Sequence, residues 1–265
     1  MRDGRPDHAD GGFAADTYGQ GFADVYDRWY PSDDATTAAV GRISALAGPG
    51  GRILELGVGT GRLAVPLAEL GHPVVGMDAS VEMLERLGHN AAHLPPDSVR
   101  AVTGDLAAPT AWPPGPFEVV VAAFNLACNL VEPAAQAQMF VLSRGVLAPG
   151  GHLVVETFLP APVQHRERHL QVREVSAEGV VLIASDTDPA AGIVTGQHIE
   201  LRDGEPVRLR PWRLRLTTPA ELDGWAESAG LERPTVWHDW SGTAPVEDDG
   251  AAARIAVYRA PVNPA

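Results

Sequence analysis

One carboxylate and three alternating glycines stand where an apolar run gives way to a helix-like stretch. The run Ile53-Leu54-Glu55-Leu56 is followed by Gly57, Gly59 and Gly61, and then by the stretch 63–70. A strand, a glycine turn and a helix in this order are typical of the first unit of a nucleotide-binding βαβ fold. Glycines let the backbone approach a ligand that a Cβ would hold away, and a helix begins with unpaired N–H groups. The segment therefore predicts a site for a nucleoside-containing cofactor.

The spacing of the glycines separates two classes of cofactor. A dinucleotide site uses G-x-G-x-x-G, with the pyrophosphate at the helix N-terminus. In this chain the third glycine comes one residue earlier, and Arg62 takes the sixth position. The resulting E-x-G-x-G-x-G pattern resembles motif I of the class I S-adenosylmethionine (SAM)-dependent methyltransferases. The resemblance implies that SAM, in preference to NAD or FAD, is bound by Glu55, Gly57, Gly59 and Gly61.

Two further acids end apolar runs downstream of this turn. Asp78 closes the run 72–78, about 20 residues after the first glycine, where a Rossmann-type unit places its ribose-binding carboxylate. A role for Asp78 only as a helix cap is the alternative. Asp105 follows the run 99–103, and the resemblance implies that its side chain meets the adenine amino group while the Leu106 backbone meets the ring. The predicted cofactor set is completed by Ala79, Met83 and Phe124.

The order of the runs predicts an α/β fold with a doubly wound, Rossmann-like sheet. Nearly continuous apolar runs at 117–124 and 152–156 indicate strands buried on both faces of a parallel sheet. A helix at 221–229 and strands at 234–240 and 254–259 follow later. The segment between does not fit a parallel crossover. It predicts four antiparallel strands, 171–175, 180–185, 193–202 and 207–216, with an Asp203-Gly204 hairpin turn,. Pro211 predicts an edge or bulge position in the last of them.

We expect residues 1–31 to form a disordered start and an N-terminal capping helix, of which the helix covers 18–31. Residues 32–160 are expected to form a SAM-binding core. An antiparallel β lid at 161–216 is inserted after the fifth strand, and 217–265 complete the core. In related enzymes of this layout such an insertion serves as a substrate lid or a dimer surface, which predicts a possible homodimer.

Composition excludes several classes of function. The 265-residue chain has a net charge of −14 at pH 7 and no basic stretch, which argues against a nucleic-acid partner. It contains no lysine, so Schiff-base chemistry is excluded,. A single cysteine, Cys128, excludes an intrachain disulfide,. Neither a membrane-spanning run nor a signal peptide is recognised, so we expect a cytoplasmic protein with no membrane partner.

Methyl transfer from SAM is a direct displacement, so positioning of the acceptor is the main requirement. Tyr26 and Tyr30 lie at helical spacing upstream of the glycine turn, and a Tyr-Asp-x-x-Tyr segment resembles the helix that covers the cofactor in small-molecule methyltransferases. Their hydroxyls are candidates for lining the donor methyl or holding substrate. Asn129 is a candidate for orienting the acceptor, or alternatively a helix cap. His198 is the best candidate base by type, with a structural histidine as the competing interpretation.

Four further residues complete the candidate set. Arg213 and Arg215 alternate along the last lid strand and are predicted to hold an anionic substrate group as a fork, or alternatively to be solvated,. Phe158 is expected to pack on the acceptor. His165 and His169 are four residues apart, but no third ligand is evident, so no metal site is predicted,.

From about Tyr18 to Arg259 the chain resembles a bacterial class I methyltransferase of the small-molecule type. The resemblance implies transfer of a methyl group from SAM to an oxygen or nitrogen atom of a small molecule in specialised metabolism. Three alternatives remain: a SAM-fold enzyme that catalyses a non-methylating reaction, a SAM-binding protein without catalysis, and a methyltransferase that acts on a protein.

Overall fold

The computed structural model describes residues 13–159, 163–242 and 253–262. The strands of this part are β1 (Ile53–Leu56), β2 (Val74–Asp78), β3 (Val99–Thr103), β4 (Phe117–Ala122), β5 (Leu147–Phe158), β6 (Glu167–Val175), β7 (Gly179–Asp188), β8 (Ile193–Arg202), β9 (Arg208–Arg215), β10 (Thr235–Trp237) and β11 (Ala253–Arg259). The helices are α1 (Thr17–Phe22), α2 (Tyr26–Trp29), α3 (Asp34–Ala47), α4 (Ala64–Glu69), α5 (Val81–Asn90), α6 (Leu126–Asn129), α7 (Pro133–Val146) and α8 (Pro219–Ser228).

The larger sheet has seven strands in the order β10-β11-β5-β4-β1-β2-β3. Strands β1 to β5 pair in parallel, and β11 is antiparallel to β5. The order reverses at β1, which lies between β2 and β4, and such a switch point opens a crevice beyond the carboxyl ends of the strands. The doubly wound α/β sheet is therefore confirmed. Two apolar clusters, one on each face of the sheet, bury β1 and β4 on both sides.

The smaller sheet is an antiparallel meander in the order β6-β7-β8-β9, and we call it the lid sheet. It follows β5, as predicted, and Pro211 lies in its edge strand β9. Its inner face packs on the N-terminal helices in a third cluster that contains Phe22, Trp29, Met83 and Val181.

The single helix predicted over 18–31 is wrong, because the structure has α1 and α2 with a break at Ala23–Val25. Gly19 explains how closely α1 packs against the start of α5. A Cβ on Gly19 would fall 2.2 Å from the Cβ of Ser80, whereas one on Gly21 would make only an ordinary contact, 3.9 Å from the Arg210 backbone. Glycine also weakens a helix interior.

Other element boundaries differ from prediction by a few residues. Strand β5 begins at Leu147, five residues early, and its pairing with β4 shifts register between Phe117 and Val119. Helix α8 begins at Pro219 because Thr218 and Glu221 form a capping box, with Glu221 Oε2 accepting from Thr218 N at 2.8 Å,. No helix in the described ranges is long and apolar enough to cross a membrane. The start predicted to be disordered extends to about residue 15, and residues 1–12 of it lie outside the described residues.

Candidate cofactor and acceptor site

A cavity of about 720 Å³ opens at the carboxyl ends of β1, β2 and β4 and is covered by the N-terminal helices and the lid sheet. It brings together most of the residues singled out from the sequence. Those lining it are Tyr26, Tyr30, Glu55, Gly57, Gly59, Asp78, Ala79, Met83, Asp105, Leu106, Phe124, Asn129, His198 and Arg213. Gly61, Phe158 and Arg215 do not line it.

The glycine turn owes its shape to left-handed backbone at all three glycines. Their φ values are +62° at Gly57, +54° at Gly59 and +91° at Gly61, a region that other residues adopt only at a cost. A Cβ on Gly57 would lie 2.4 Å from Leu126 Cδ1, and one on Gly61 would lie 2.4 Å from Leu87 Cδ1. Gly61 therefore packs the turn onto α5, whereas Gly57 and Gly59 face the cavity.

Asp78, at the end of β2, holds this turn in place. Its Oδ2 accepts from Gly59 N at 2.9 Å, and its Oδ1 accepts from Ser80 N at 2.9 Å. Ser80 in turn caps α5 by accepting from Met83 N at 3.2 Å. Burial raises the pKa of the Asp78 carboxyl, and the amides of Ser80 and Gly59 counteract it. A carboxylate oxygen has more than one acceptor site, so Asp78 can still accept from a ribose.

Glu55 presents a buried carboxylate at the floor of the cavity. It is 3% exposed, and its Oε2 has no hydrogen-bond partner among the described residues. Burial raises the pKa of Glu55 well above its usual value, with the Ala64 amide acting in the opposite direction. An unpaired buried carboxylate is costly unless a cation approaches it. SAM carries both an ammonium and a sulfonium, so this acidic floor fits that cofactor.

The turn after β4 adopts a strained backbone that β5 clamps. Phe124 and Asn125 both have positive φ, 51° and 62°, which non-glycine residues adopt only where the surroundings enforce it. Glu156 Oε2 accepts from Phe124 N at 2.8 Å, and its Oε1 accepts from Trp240 Nε1 at 3.0 Å. Phe158 donates its backbone N–H to Asn125 Oδ1. Phe158 therefore supports this turn with its backbone.

Asp105 and Asn129 lie on either side of this turn. Asp105 lines the cavity, with its Oδ1 accepting from Ala107 N at 2.8 Å. Asn129 is the last residue of α6, whose N-cap is Asn125, so Asn129 does not cap the start of a helix. Burial raises the pKa of the neighbouring Cys128 thiol to about 12, which makes it a packing residue at neutral pH.

The tyrosines of α1 and α2 remain protonated at neutral pH. Burial raises the pKa of Tyr26 to about 12, and it raises the pKa of Tyr18 well above its usual value. The rings of Tyr26 and Tyr30 lie 5.1 Å apart, and all three tyrosines line the cavity. The hydroxyls of Tyr18 and Tyr26 can therefore donate hydrogen bonds but do not act as tyrosinate bases.

His198 lies inside an aromatic shell on the inner face of β8. Its ring stacks on Trp29 at 5.4 Å and meets Phe22 edge-on at 5.0 Å, with Trp212 6.4 Å away. Neither ring nitrogen has a hydrogen-bond partner among the described residues. Burial, together with Arg173 and Arg210, lowers the pKa of His198 to about 4. The imidazole is therefore neutral at pH 7 and a weak base.

The structure does not assemble the predicted arginine fork. Arg215 donates to Glu221 at 3.0 Å, outside the cavity, whereas Arg213 lines the cavity near the Phe13 ring. Because β9 is an edge strand, side chains from both of its faces reach the opening. Within the described residues, no group of three or more His, Cys, Asp or Glu side chains could hold a metal ion.

Two arginines of the cavity were not assigned a role from the sequence. Arg62 lies 4.2 Å from the Phe124 ring centroid and donates to Thr36 Oγ1 at 2.7 Å. Its place in the sixth position of the glycine motif was the available signal. Arg173 lines the opposite wall. Alternation along β6 only weakly indicates which face of the strand Arg173 lies on, because the bulge between Val172 and Glu174 shifts the register and cannot be predicted from the sequence.

Similarity to known proteins places the chain in a family. Residues 53–151 match a family model described as a methyltransferase domain. The structure of the CcbJ methyltransferase from Streptomyces caelestis is 36% identical, with a TM-score of 0.84, and the match covers 94% of this chain and 100% of that one. The chain belongs to the class I SAM-dependent methyltransferases.

More distant relatives share the fold or part of the sequence. SAM-bound CalS10, described as an amino pentose methyltransferase from Micromonospora echinaspora, has a TM-score of 0.66 at 20% identity, covering 89% of this chain and 95% of that one. A demethylmenaquinone methyltransferase from Clavibacter sepedonicus is 34% identical over 154 residues, or 57% of this chain. The chain spans only 58% of the length of that curated relative.

Proposed function

We propose that the protein transfers the methyl group of SAM to a nitrogen or oxygen atom of a small molecule by direct displacement. The observation that carries this proposal is one continuous cavity with two unlike walls. The large sheet provides Glu55, the glycine turn and Asp78, whereas the helices and the lid sheet provide tyrosines, His198 and Trp212. A cavity of about 720 Å³ lies in the usual range for small-molecule sites.

When bound, SAM supplies an electrophilic methyl group on a positively charged sulfur. Asp78 would accept from the ribose hydroxyls, Asp105 from the adenine amino group, and Glu55 would face the charged methionine end. Gly57 and Gly59 allow the backbone to approach the cofactor closely. The N-terminal helices cover the site and exclude water.

The protonation states favour an acceptor whose reacting nitrogen or oxygen atom needs no deprotonation by the enzyme before it attacks. Tyr26, with its raised pKa, and His198, with its lowered pKa, are poorly matched to proton abstraction at pH 7. We assign Tyr26, Tyr30 and Asn129 the role of orienting a neutral amine or a hydroxyl. Orientation of a reacting pair is itself a large part of catalysis.

Cofactor binding is the first test. Native mass spectrometry should show one SAM or one S-adenosylhomocysteine per chain. The Asp78→Ala variant should raise the SAM dissociation constant at least about tenfold, because it removes the carboxylate that accepts hydrogen bonds from the ribose and from the glycine turn. Asp186→Ala, which removes an exposed carboxylate of the lid sheet paired with Arg166 and Arg168, is the matched control and should not change affinity. Unchanged affinity in Asp78→Ala would remove Asp78 from the ribose site.

Turnover separates the proposed reaction from its rivals. A screen of amine and hydroxyl acceptors should release S-adenosylhomocysteine. Bound SAM that is never consumed while an acceptor is converted would instead indicate a non-methylating reaction, and bound SAM with no conversion of any kind would favour a binding protein.

We further propose that the enzyme is a cytoplasmic homodimer in a biosynthetic pathway and that the outer face of the lid sheet joins the copies. The strand register of the lid sheet aligns outward-facing side chains in three rows across the strands. The rows are Leu170, Ala184 and Gln197; Val172, Leu182, Ile199 and Leu209; and Val175, Val180 and Leu201. Leu170, Val172, Val175 and Leu209 are each more than half exposed. A continuous apolar face of this kind marks an interaction surface.

The charges around this face favour a second copy of the chain as its partner. Arg166 and Arg168 share Asp186 at one end of the strands, whereas Glu178 and Asp203 lie at the turns of the other end, where Arg202 is 3.7 Å from Glu178. A two-fold axis perpendicular to the strands would set the basic end of each copy against the acidic end of the other, which is the self-complementarity of a symmetric dimer.

Light scattering during size-exclusion chromatography tests this interface. The wild type should run as a dimer and Leu182→Asp as a monomer, because a charge in the middle row would be desolvated on association. Val141→Asp, on the half-exposed surface of α7, is the control and should remain a dimer. A wild-type monomer at 50 μM would contradict the proposal.

A further inference from the structure

The charged side chains of the cavity are segregated between its two walls. Outside the lid sheet the acids that line the cavity are Glu55, Asp78, Asp105, Glu132 and Glu156, and the only arginine in the described lining there is Arg62, which is bound to Asp33 at 3.2 Å. The lid-sheet lining contains no acid among the described residues but contains Arg173 and Arg213. A cationic cofactor explains the acidic wall, and the cationic wall opposite requires a separate explanation.

Arg173 is held in place by the N-terminal helices and not by a carboxylate. Its Nη2 donates to the Trp29 carbonyl at 2.8 Å, and its guanidinium lies 4.9 Å from the Trp29 ring and 4.8 Å from the Tyr30 ring. Within the described residues it forms no ion pair. A guanidinium has five N–H donors, so one bond to a carbonyl leaves most of its donors for another ligand.

The surroundings of Arg173 suit a planar acid. The Trp29 and Tyr30 rings form an apolar wall beside the guanidinium, and His198 lies close enough that Arg173 lowers its pKa. A neutral imidazole retains one N–H donor. Arginine binds a carboxylate through two parallel hydrogen bonds, and this geometry is strongest where water is partly excluded.

We infer that Arg173 forms a carboxylate-binding subsite in the acceptor half of the cavity, so that the methyl acceptor is a carboxylate-bearing small molecule. This inference rests on the proposed methyltransferase function and extends it to a substrate class. Arg213, which also lines the lid wall, adds positive potential at the mouth. Electrostatic attraction would bring the acid to this wall of a protein whose net charge is −14,.

A matched pair of probes tests the charge requirement. We would titrate benzoate and benzamide, which share a ring and a planar group but differ in charge, into the protein saturated with S-adenosylhomocysteine at pH 7.5. Benzoate should bind at least about tenfold more tightly, and the preference should decrease with added salt because it is electrostatic. Equal affinity for the two probes would overturn the inference.

Two variants on β6 test whether Arg173 causes the preference for benzoate over benzamide. Arg173→Gln should abolish it, whereas Arg168→Gln should leave it intact, because Arg168 lies on the same strand but points outward to Asp186. A preference that survives in Arg173→Gln would overturn the assignment. Affinity for S-adenosylhomocysteine, measured in the same samples, separates the two proposals. A wild type that does not bind S-adenosylhomocysteine would contradict the methyltransferase function itself. A wild type that binds it but does not prefer benzoate to benzamide would contradict only the carboxylate subsite.

A second readout needs no variant. An anion bound beside His198 favours the imidazolium, so benzenesulfonate, which stays ionised throughout this titration, should raise the pKa of His198 measured by NMR, and benzenesulfonamide should leave it unchanged. Arg173 and Arg210, of which the second is itself paired with Asp24 and Glu200, face this ring in the absence of probe. No change with benzenesulfonate would place the anion away from Arg173 and contradict the inference.

Discussion

Burial in this cavity changes the acid–base chemistry of three side chains from what their residue types predict, and these are His198, Tyr26 and Glu55. A histidine is the usual base near neutral pH, yet burial among three rings lowers the pKa of His198 to about 4. The same cause raises the pKa of Tyr26 to about 12 and that of Glu55 above its usual value. Most of the residues predicted for the site line the cavity, but the protonation states depend on the surrounding packing, which no local pattern encodes.

The lowered pKa of His198 predicts acid sensitivity. Between pH 6.5 and 4 the unfolded chain binds a proton that the folded chain does not, so the free energy of unfolding should decrease as pH falls through this window, by up to about 3 kcal/mol. His198→Phe should remove this part of the pH dependence, whereas His93→Phe, at an exposed site, should not. Urea unfolding at pH 7 and 4.5 measures the difference, and an unchanged pH slope in His198→Phe would contradict the assigned pKa.

At the scale of elements, the parallel sheet was predictable and the N-terminal segment was not. Strands β1, β2 and β4 are continuous apolar runs because both faces of the sheet are covered, so their burial can be read from the sequence. The close packing of α1 depends on Gly19 lying against Ser80, a residue far along the chain. Trp212 and Arg213 both line the cavity, although alternation along β9 places them on opposite faces of the strand. This follows from the position of β9 at the edge of the sheet, which the sequence of the strand alone does not predict.

The glycine turn offers a comparison within one element. Gly57 and Gly59 share positive φ, but a Cβ on Gly57 would overlap Leu126 at 2.4 Å, whereas the nearest atom to a Cβ on Gly59 is 4.0 Å away. Gly59→Ala should cost about 1 kcal/mol of unfolding free energy from backbone strain, and Gly57→Ala should cost about 1–3 kcal/mol more from the overlap. Urea denaturation of both variants tests this order, and equal losses would show that Leu126 yields without cost.

On the scale of the whole molecule, a buried charge network joins the lid sheet to the N-terminal helices. Arg210, 4% exposed, donates to Glu200 at 2.8 Å and to Asp24 at 3.0 Å, and it also reaches the Gly21 carbonyl. Arg202 bonds the same Glu200 at 2.7 Å. These contacts fix α1 against β8 and β9, so the helices and the lid sheet that cover the cavity form one unit.

Removal of the centre of this network should be costly. Arg210→Met leaves the buried Glu200 carboxylate with less compensation and should lower the free energy of unfolding by about 3–5 kcal/mol. Arg208→Met removes an exposed partner of the same Asp24 and should cost less than about 1 kcal/mol. Chemical denaturation compares the two variants, and similar losses would mean that the network contributes no more than a surface pair.

The lid sheet also has a consequence for redesign. Its contribution to the cavity comes from one uninterrupted stretch of chain, which begins after β5 and ends before α8, whereas the described residues under the cofactor come from earlier elements. Exchange of this one internal segment would therefore replace the lid-sheet wall and leave the elements of the opposite wall unchanged. A chimera with the corresponding segment of CcbJ is the natural starting point for redesign.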